Sequence, residues 1–171
     1  MPKKFIFKIV VAGEGGVGKT TLLQRFVEGI FNEETKLTVG IGFFAKELDL
    51  GPNHFTLQLW DFGGQERFRF MQDSYILGAK GALLMFDLTR MTSLENLATW
   101  VDLLRKYDPN IPLLLIGTKL DLTDEICVKD SYSAEMKDEF KCLDFIKVSS
   151  KTGENVRETF EKITYAIMRN K

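Results

Sequence analysis

The chain has 171 residues, 44% of them hydrophobic, with no break in composition; that is enough to bury a full core and points to one domain spanning 1–171. Its 23 Lys and Arg balance 24 Asp and Glu, so there is no charge excess of the kind a nucleic-acid or anionic-membrane binder carries. A single histidine, His54, and two isolated cysteines, Cys127 and Cys142, argue against histidine chemistry, a zinc site or a disulfide framework, and fit a reducing cytoplasm.

The chain opens Met1-Pro2-Lys3-Lys4 before an apolar run, but Lys8 interrupts that run and Glu14 follows it, so Phe5 to Ala12 reads as a buried strand and not as a leader. Next comes Gly13-Glu14-Gly15-Gly16-Val17-Gly18-Lys19-Thr20, which fits the phosphate-binding pattern G-x-x-x-x-G-K-[ST]. Leu22, Leu23, Phe26 and Val27 then recur at helical spacing, and this helix should stop near Gly29. Strand, glycine loop and helix in this order let consecutive N–H groups curl around phosphate oxygens, with the positive end of the helix dipole at the same spot. Lys19 would meet β and γ phosphates, and Thr20 a Mg²⁺ ion.

A polar stretch from Phe31 to Thr38 leads to two strands, about Ile41 to Leu50 and Phe55 to Asp61. The turn formers Gly51-Pro52-Asn53-His54 join them and make the pair antiparallel. Phe62-Gly63-Gly64-Gln65-Glu66-Arg67-Phe68 is too glycine-rich to begin as a regular element, and the apolar run Gly81 to Phe86 follows. Thr92 and Glu95 suggest a capping box opening one long helix, striped by Leu94, Leu97, Val101 and Leu104 and ending before Pro109. A buried strand Pro112 to Gly117, a helix around Ser133 to Phe140, a strand around Leu143 to Val148 and a helix striped by Val156, Phe160, Ile163 and Ile167 complete the chain. Short apolar strands alternating with amphipathic helices imply an open α/β fold: a six-stranded, mostly parallel sheet with one antiparallel edge strand and helices on both faces. Ligands in such sheets bind beyond the carboxyl ends of the strands, which is where the suggestive polar segments fall.

Those segments are Thr38 after the first loop, Asp61-Phe62-Gly63-Gly64-Gln65 after the third strand, Gly117-Thr118-Lys119-Leu120-Asp121-Leu122 after the fifth, and Ser149-Ser150-Lys151 after the sixth. In this order and spacing, together with the phosphate loop, the set resembles the five guanine-nucleotide motifs of the Ras superfamily of small GTPases. Val39-Gly40-Ile41-Gly42-Phe43, Leu59-Trp60-Asp61, Gln65-Glu66-Arg67-Phe68 and Ser150 to Val156 look most like the Rab branch. Thr118 stands where Asn is commonest, as in several Rho-type members, but the short interval from Lys119 to Lys151 leaves no room for the extra Rho helix. Phe62-Gly63 replaces the Thr-Ala of Ras and Rab proteins, and Gly-Gly-Gln is closer to Arf-type and archaeal Rab-like small GTPases.

The resemblance implies a P-loop NTPase fold and a switch that hydrolyses GTP to GDP and phosphate with Mg²⁺, in membrane trafficking or related signalling. The nucleotide site would take in Glu14, Gly15, Gly16, Val17, Gly18, Lys19, Thr20, Thr21, Phe31, Thr38, Gly64, Thr118, Lys119, Asp121, Leu122, Ser149, Ser150 and Lys151. Asp121 would select guanine by accepting from its N1–H and amino group. Lys119 would lay its stem on the purine and reach back with its head to the phosphate loop, and Phe31 would cover the base edge. Thr20, Thr38 and, through water, Asp61 would hold Mg²⁺. Lys19, Gly64 and Gln65 would carry catalysis, Gln65 by orienting the attacking water.

Loops around 31–40 and 62–75 would order around the γ phosphate and relax on hydrolysis. With no internal arginine finger identifiable, turnover should be slow and an activating protein expected in trans, beside an exchange factor and effectors meeting Phe43, Trp60 and Tyr75. The chain should be a monomer. No segment approaches the roughly 18 apolar residues of a spanning helix, and Met168-Arg169-Asn170-Lys171 offers no cysteine for a prenyl group. A cytoplasmic protein is therefore expected, peripheral at a membrane only through a partner or a tail absent from this sequence. Two other readings stay open: a GTP-binding interaction module that never hydrolyses, and a P-loop nucleotide kinase, although the short loops leave no arginine-rich lid.

Overall fold

The computed structural model describes residues 1–33, 37–64, 70 and 72–171. In chain order the elements are β1 (Lys4–Ala12), α1 (Lys19–Glu28), β2 (Ile41–Leu50), β3 (Asn53–Phe62), α2 (Gln72–Ile76), β4 (Gly81–Asp87), α3 (Met91–Glu95), α4 (Leu97–Tyr107), β5 (Leu113–Thr118), α5 (Asp130–Glu139), β6 (Asp144–Lys147) and α6 (Val156–Arg169). The strands form one sheet in the order β2-β3-β1-β4-β5-β6. β2 and β3 pair antiparallel, and every other neighbouring pair is parallel. The chain order β1, β3, β4 maps to a sheet that grows outward from β1 in both directions. The carboxyl ends of β1 and β3 to β6 consequently share one rim, and the loops that carry the motifs converge there.

Alternating side chains divide the core into two layers. Phe7, Ile9 and Val11 of β1 pack beneath Leu22, Leu23 and Phe26 of α1 and Val156, Phe160 and Ile163 of α6. Val10 and Ala12 face the other way, towards Leu97, Trp100 and Leu104 of α4 and Met136 of α5. Phe26 stacks on Phe160 with centroids 3.8 Å apart and planes 4° from parallel, a pairing worth about 0.5–1.5 kcal/mol beyond its buried area. That stack fixes α1, and with it the lysine at its start, against α6.

Two expectations change. The β2–β3 hairpin turns tightly at Gly51-Pro52, because Asn53 and His54 already pair with Leu50 and Asp49. The long helix is two, broken at Asn96, and no capping box forms at Thr92 and Glu95. Arg90 is the N-cap of α3. Ser93, fully buried, accepts from the Asp87 N–H at 2.9 Å and donates to the Arg90 carbonyl at 2.6 Å, so the chain turns into the helix earlier than its local pattern implies. Phe62, where the resembling family has Thr, is fully buried against Trp100 with centroids 6.4 Å apart. It fills the space between the end of β3 and α4.

Candidate functional site

The shape of the phosphate loop follows from its glycines. A Cβ at Gly13 would lie 2.3 Å from the Met85 carbonyl oxygen, so only glycine lets the loop leave β1 this close to β4. Gly18 takes the left-handed conformation (φ 97°) as the N-cap of α1, with no side-chain cap, which leaves the helix start open to an anion. The Lys19 ammonium folds back over the loop and donates to the Glu14 carbonyl at 2.9 Å. Burial pushes the Lys19 pKa down to about 8, against the pull of the Asp61 and Glu14 carboxylates. An anion in the loop would relieve that penalty and keep the ammonium charged.

A cavity of about 320 Å³ opens from this loop, within the range that holds a small ligand. Residues 15–21, Phe31, Thr38, Gly64, Thr118, Lys119, Asp121, Leu122, Ser150 and Lys151 line it, joined by Asn32, Glu33 and Leu37. Across the mouth, the Lys151 ammonium stands 3.6 Å from the Glu33 carboxylate. Three expected residues are not on the wall. Glu14 has its side chain outside the loop, where it accepts from Asn96 Nδ2 at 2.9 Å. Ser149 and Asp61 are buried just behind the wall. Gln65 lies outside the described residues.

At the inner end, oxygens of three segments meet. Thr20 Oγ1 and Thr38 Oγ1 are 2.5 Å apart, Thr20 donates to Asp61 Oδ2, and Thr38 Oγ1 lies 3.3 Å from that same oxygen. Burial raises the Asp61 pKa, partly offset by Thr20, Lys19 and Thr38. The other carboxylate oxygen, Oδ1, is buried with no partner among the described residues. A buried carboxylate with an open lone pair beside two hydroxyls is a donor set for a hard, oxygen-seeking cation. No cluster of three His, Cys, Asp or Glu exists among the described residues, so such an ion would rely on ligand oxygens as well.

At the far end of the cavity a carboxylate is held in place. The Ser149 hydroxyl donates to Asp121 Oδ1 at 2.8 Å and accepts from the Thr152 N–H at 3.1 Å, which holds the carboxylate at one orientation. Thr118 Oγ1 lies 2.6 Å from the Val17 carbonyl and 3.0 Å from that of Phe86, tying the base-side loop to the phosphate loop. The Lys119 head does not reach back to the phosphate loop as expected. It sits 2.8 Å from Asp87 Oδ2, a carboxylate buried at the end of β4. Burial works against the charge on Asp87, but bonds from Lys119 and from the hydroxyl and N–H of Thr89 overcome it and hold its pKa below the usual carboxylate value.

Arg90 and Asn96 are further residues that the motifs did not single out. Arg90 donates to the Gly15 carbonyl at 3.1 Å and stands 3.5 Å from the carboxylates of both Glu14 and Asp87. With these bonds its guanidinium braces the outside of the phosphate loop. Asp87-Leu88-Thr89-Arg90 is a polar segment at the carboxyl end of a parallel strand, and that position was the available signal.

On the β2–β3 side of the sheet, Trp60 packs between Phe43 (centroids 4.8 Å) and Tyr75 (5.3 Å), with the Lys8 ammonium 5.2 Å from its ring. Phe43 is 51% and Tyr75 37% exposed, and Trp60 is half-buried on the face opposite Leu57, Leu59 and Asp61.

A glycine cradle between strand and helix, a lysine at its end and a fixed carboxylate at the far end of the same cavity define a P-loop nucleotide-binding protein of the GTPase type. A family model described as the Ras family matches residues 8–169. The chain belongs to the Ras family, whose members are small GTPases: GTP-binding switches that hydrolyse the nucleotide. It is 39% identical over 166 residues to Ras-related protein Rab11D of Lotus japonicus, covering 96% of this chain and 76% of that one. It is 37% identical to GTP-binding protein ypt3 of Schizosaccharomyces pombe over 166 residues (96% and 77%), and 38% identical to human Ras-related protein Rab-4B over 165 (96% and 77%). Proteins of this kind act in general with exchange factors, activating proteins and effectors. Among the described residues no helix is long and apolar enough to cross a membrane.

Proposed function

We propose that residues 1–171 form a single GTPase domain that binds GTP and GDP with Mg²⁺ and serves as a Rab-like switch in membrane trafficking or related signalling. The observation that carries this is the meeting of Thr20, Thr38 and Asp61 at the inner end of a cavity whose outer end holds Asp121. Mg²⁺ there would neutralise the charge of the β and γ phosphate oxygens. Thr20, Thr38 and, through water, Asp61 would hold it, Lys19 would pair with the same phosphates, and Gly64 would donate its N–H to the γ phosphate. Lys119 covers the purine face and Phe31 its edge. Gln65 orients the water.

Arg90 is engaged by Glu14, Asp87 and Gly15, and the arginine that speeds phosphoryl transfer is expected from an activating partner. Single-turnover hydrolysis by the parent protein should be slow alone and fast with that partner. Gln65→Leu should bind GTP as before yet lose most of the hydrolysis, since Leu fills space but cannot hydrogen-bond water. Hydrolysis by Gln65→Leu at the parent rate, partner present, would remove Gln65 from the chemistry. Absence of hydrolysis by the parent under both conditions would favour the interaction module.

The Phe43–Trp60–Tyr75 cluster is the proposed effector surface, an aromatic patch of the kind that concentrates binding energy. Trp60→Ala should weaken capture of effectors in the GTP state by about 10-fold or more, the typical cost of truncating a hot-spot aromatic, with little change in GTP affinity. Unchanged capture by a folded Trp60→Ala protein, or equal capture in the GDP state, would rule the patch out. The protein is proposed to be a cytoplasmic monomer, peripheral at a membrane through a partner or through a tail outside this sequence.

A further inference from the structure

We infer that Arg90, which lies outside the nucleotide motifs, is a positioning residue for the phosphate loop: it holds the Gly15 carbonyl from behind, turns the N–H of Gly16 into the cavity, and so slows release of the nucleotide. The inference rests on the proposed seating of the phosphates in that loop.

Within the loop, the peptide between Gly15 and Gly16 is the one flanked by glycine on both sides. Rotating that peptide plane changes ψ of residue 15 and φ of residue 16, and neither residue has a Cβ to oppose the change. The local sequence therefore leaves the orientation of this peptide weakly specified, and a partner from elsewhere in the fold has to select it. Arg90 Nη2 donates to the Gly15 carbonyl at 3.1 Å. Gly15 and Gly16 line the cavity, whereas Arg90 is not among the described residues of its wall. The carbonyl and N–H of a trans peptide point in opposite directions, so a carbonyl drawn out towards Arg90 leaves the Gly16 N–H facing the space for the phosphates.

The guanidinium is itself held fast, with a partner for each of its three nitrogens. Besides the Gly15 bond, Nη1 stands 3.5 Å from the Glu14 carboxylate and Nε 3.5 Å from Asp87 Oδ2. Glu14 is steadied by Asn96 Nδ2 at 2.9 Å. Asp87, buried at the end of β4, accepts from the N–H and hydroxyl of Thr89 at 2.8 and 2.6 Å. β4 lies parallel beside β1, so the anchor and the loop it steadies grow from neighbouring strands. The charge of Arg90 also reaches the site, since it opposes the charge on Lys19. An anion in the loop is thus attracted by both cations, and Arg90 adds to its retention without touching it.

The test is the release of a fluorescent GDP analogue from the full chain, chased with unlabelled GDP, for Arg90→Met, Arg90→Lys, Glu14→Gln and the Arg90→Met/Glu14→Gln double variant. Arg90→Met should speed release about tenfold, the cost of one charge-assisted hydrogen bond. Arg90→Lys keeps the charge but lacks the fork, and should speed release about threefold. Glu14→Gln, which loosens the guanidinium, should also cost about threefold. The double variant should release no faster than Arg90→Met, because both changes act through one group. In NMR spectra of the GDP complex, the Gly16 amide proton should move upfield in Arg90→Met as its bond to phosphate weakens. Release at the parent rate by Arg90→Met would overturn the proposal, and so would additive losses in the double variant. Faster release with the Gly16 amide unmoved would leave Arg90 a structural role only. If Arg90→Met does not fold, Arg90→Lys and Glu14→Gln carry the same comparison. Unchanged GDP affinity in Lys19→Ala would instead overturn the phosphate-loop reading on which the proposal stands.

Discussion

Asp121→Asn should lower GTP affinity by about 10²-fold or more and gain affinity for xanthosine triphosphate, because the loss of a charge-assisted hydrogen-bond pair costs a few kcal/mol. Guanine presents two donors, N1–H and the exocyclic amino group, to the two oxygens of the carboxylate. Xanthine has an oxygen in place of the amino group and asks for one acceptor and one donor, which an amide supplies. The orientation of that amide is set in advance. Ser149 already accepts from the Thr152 N–H and so presents its own proton to residue 121, which favours an oxygen on that side. Competition binding of GTP and xanthosine triphosphate to parent and variant checks this. Equal GTP binding by the two proteins would show that Asp121 does not read the base.

Gly64→Ala should leave GDP binding within a few-fold of the parent while cutting hydrolysis by about 10²–10³, the usual effect of losing one preorganised donor to a reacting centre. The added Cβ would fall 2.1 Å from the Gly15 nitrogen, 2.4 Å from the Glu14 carbonyl carbon and 2.7 Å from the Gly13 oxygen. All three belong to the phosphate loop backbone, which the nucleotide itself keeps in place. The loop after β3 has to retreat, and the Gly64 N–H goes with it, away from the γ phosphate. Single-turnover hydrolysis with partner present and GDP titration separate the two effects. Hydrolysis at the parent rate would mean that the retreat does not occur or that the N–H plays no part.

Much of this protein was legible in the linear chain because its signals are local. Gly18 must be left-handed, Lys19 and Thr20 must follow at the helix start, and an apolar strand must precede them, and all of this lies within one strand–loop–helix unit. The alternation of buried strands and amphipathic helices specified the layers. The rule that parallel strands point one way then placed Thr118, Asp121 and Ser149 on the same rim as the phosphate loop.

What the tertiary structure alone decided involves residues whose partners are far along the chain. Lys119 has a head that could meet the phosphate loop or Asp87, and the choice is made by the buried carboxylate at the end of β4, 32 positions away, where burial makes an unpaired charge costly. Arg90 and Asn96 are unremarkable polar residues in sequence. They acquire a role because β4 lies beside β1, which brings them to Glu14 and Gly15. The break between α3 and α4 follows from Ser93 bonding to Asp87 and Arg90 and from Asn96 reaching Glu14, contacts that no capping pattern encodes. Most of all, the meeting of Thr20, Thr38 and Asp61 depends on the antiparallel register of β2 and β3, which brings the segment before β2 beside the end of β3. A local pattern determines which groups are present, and the packing of distant segments determines which of them touch.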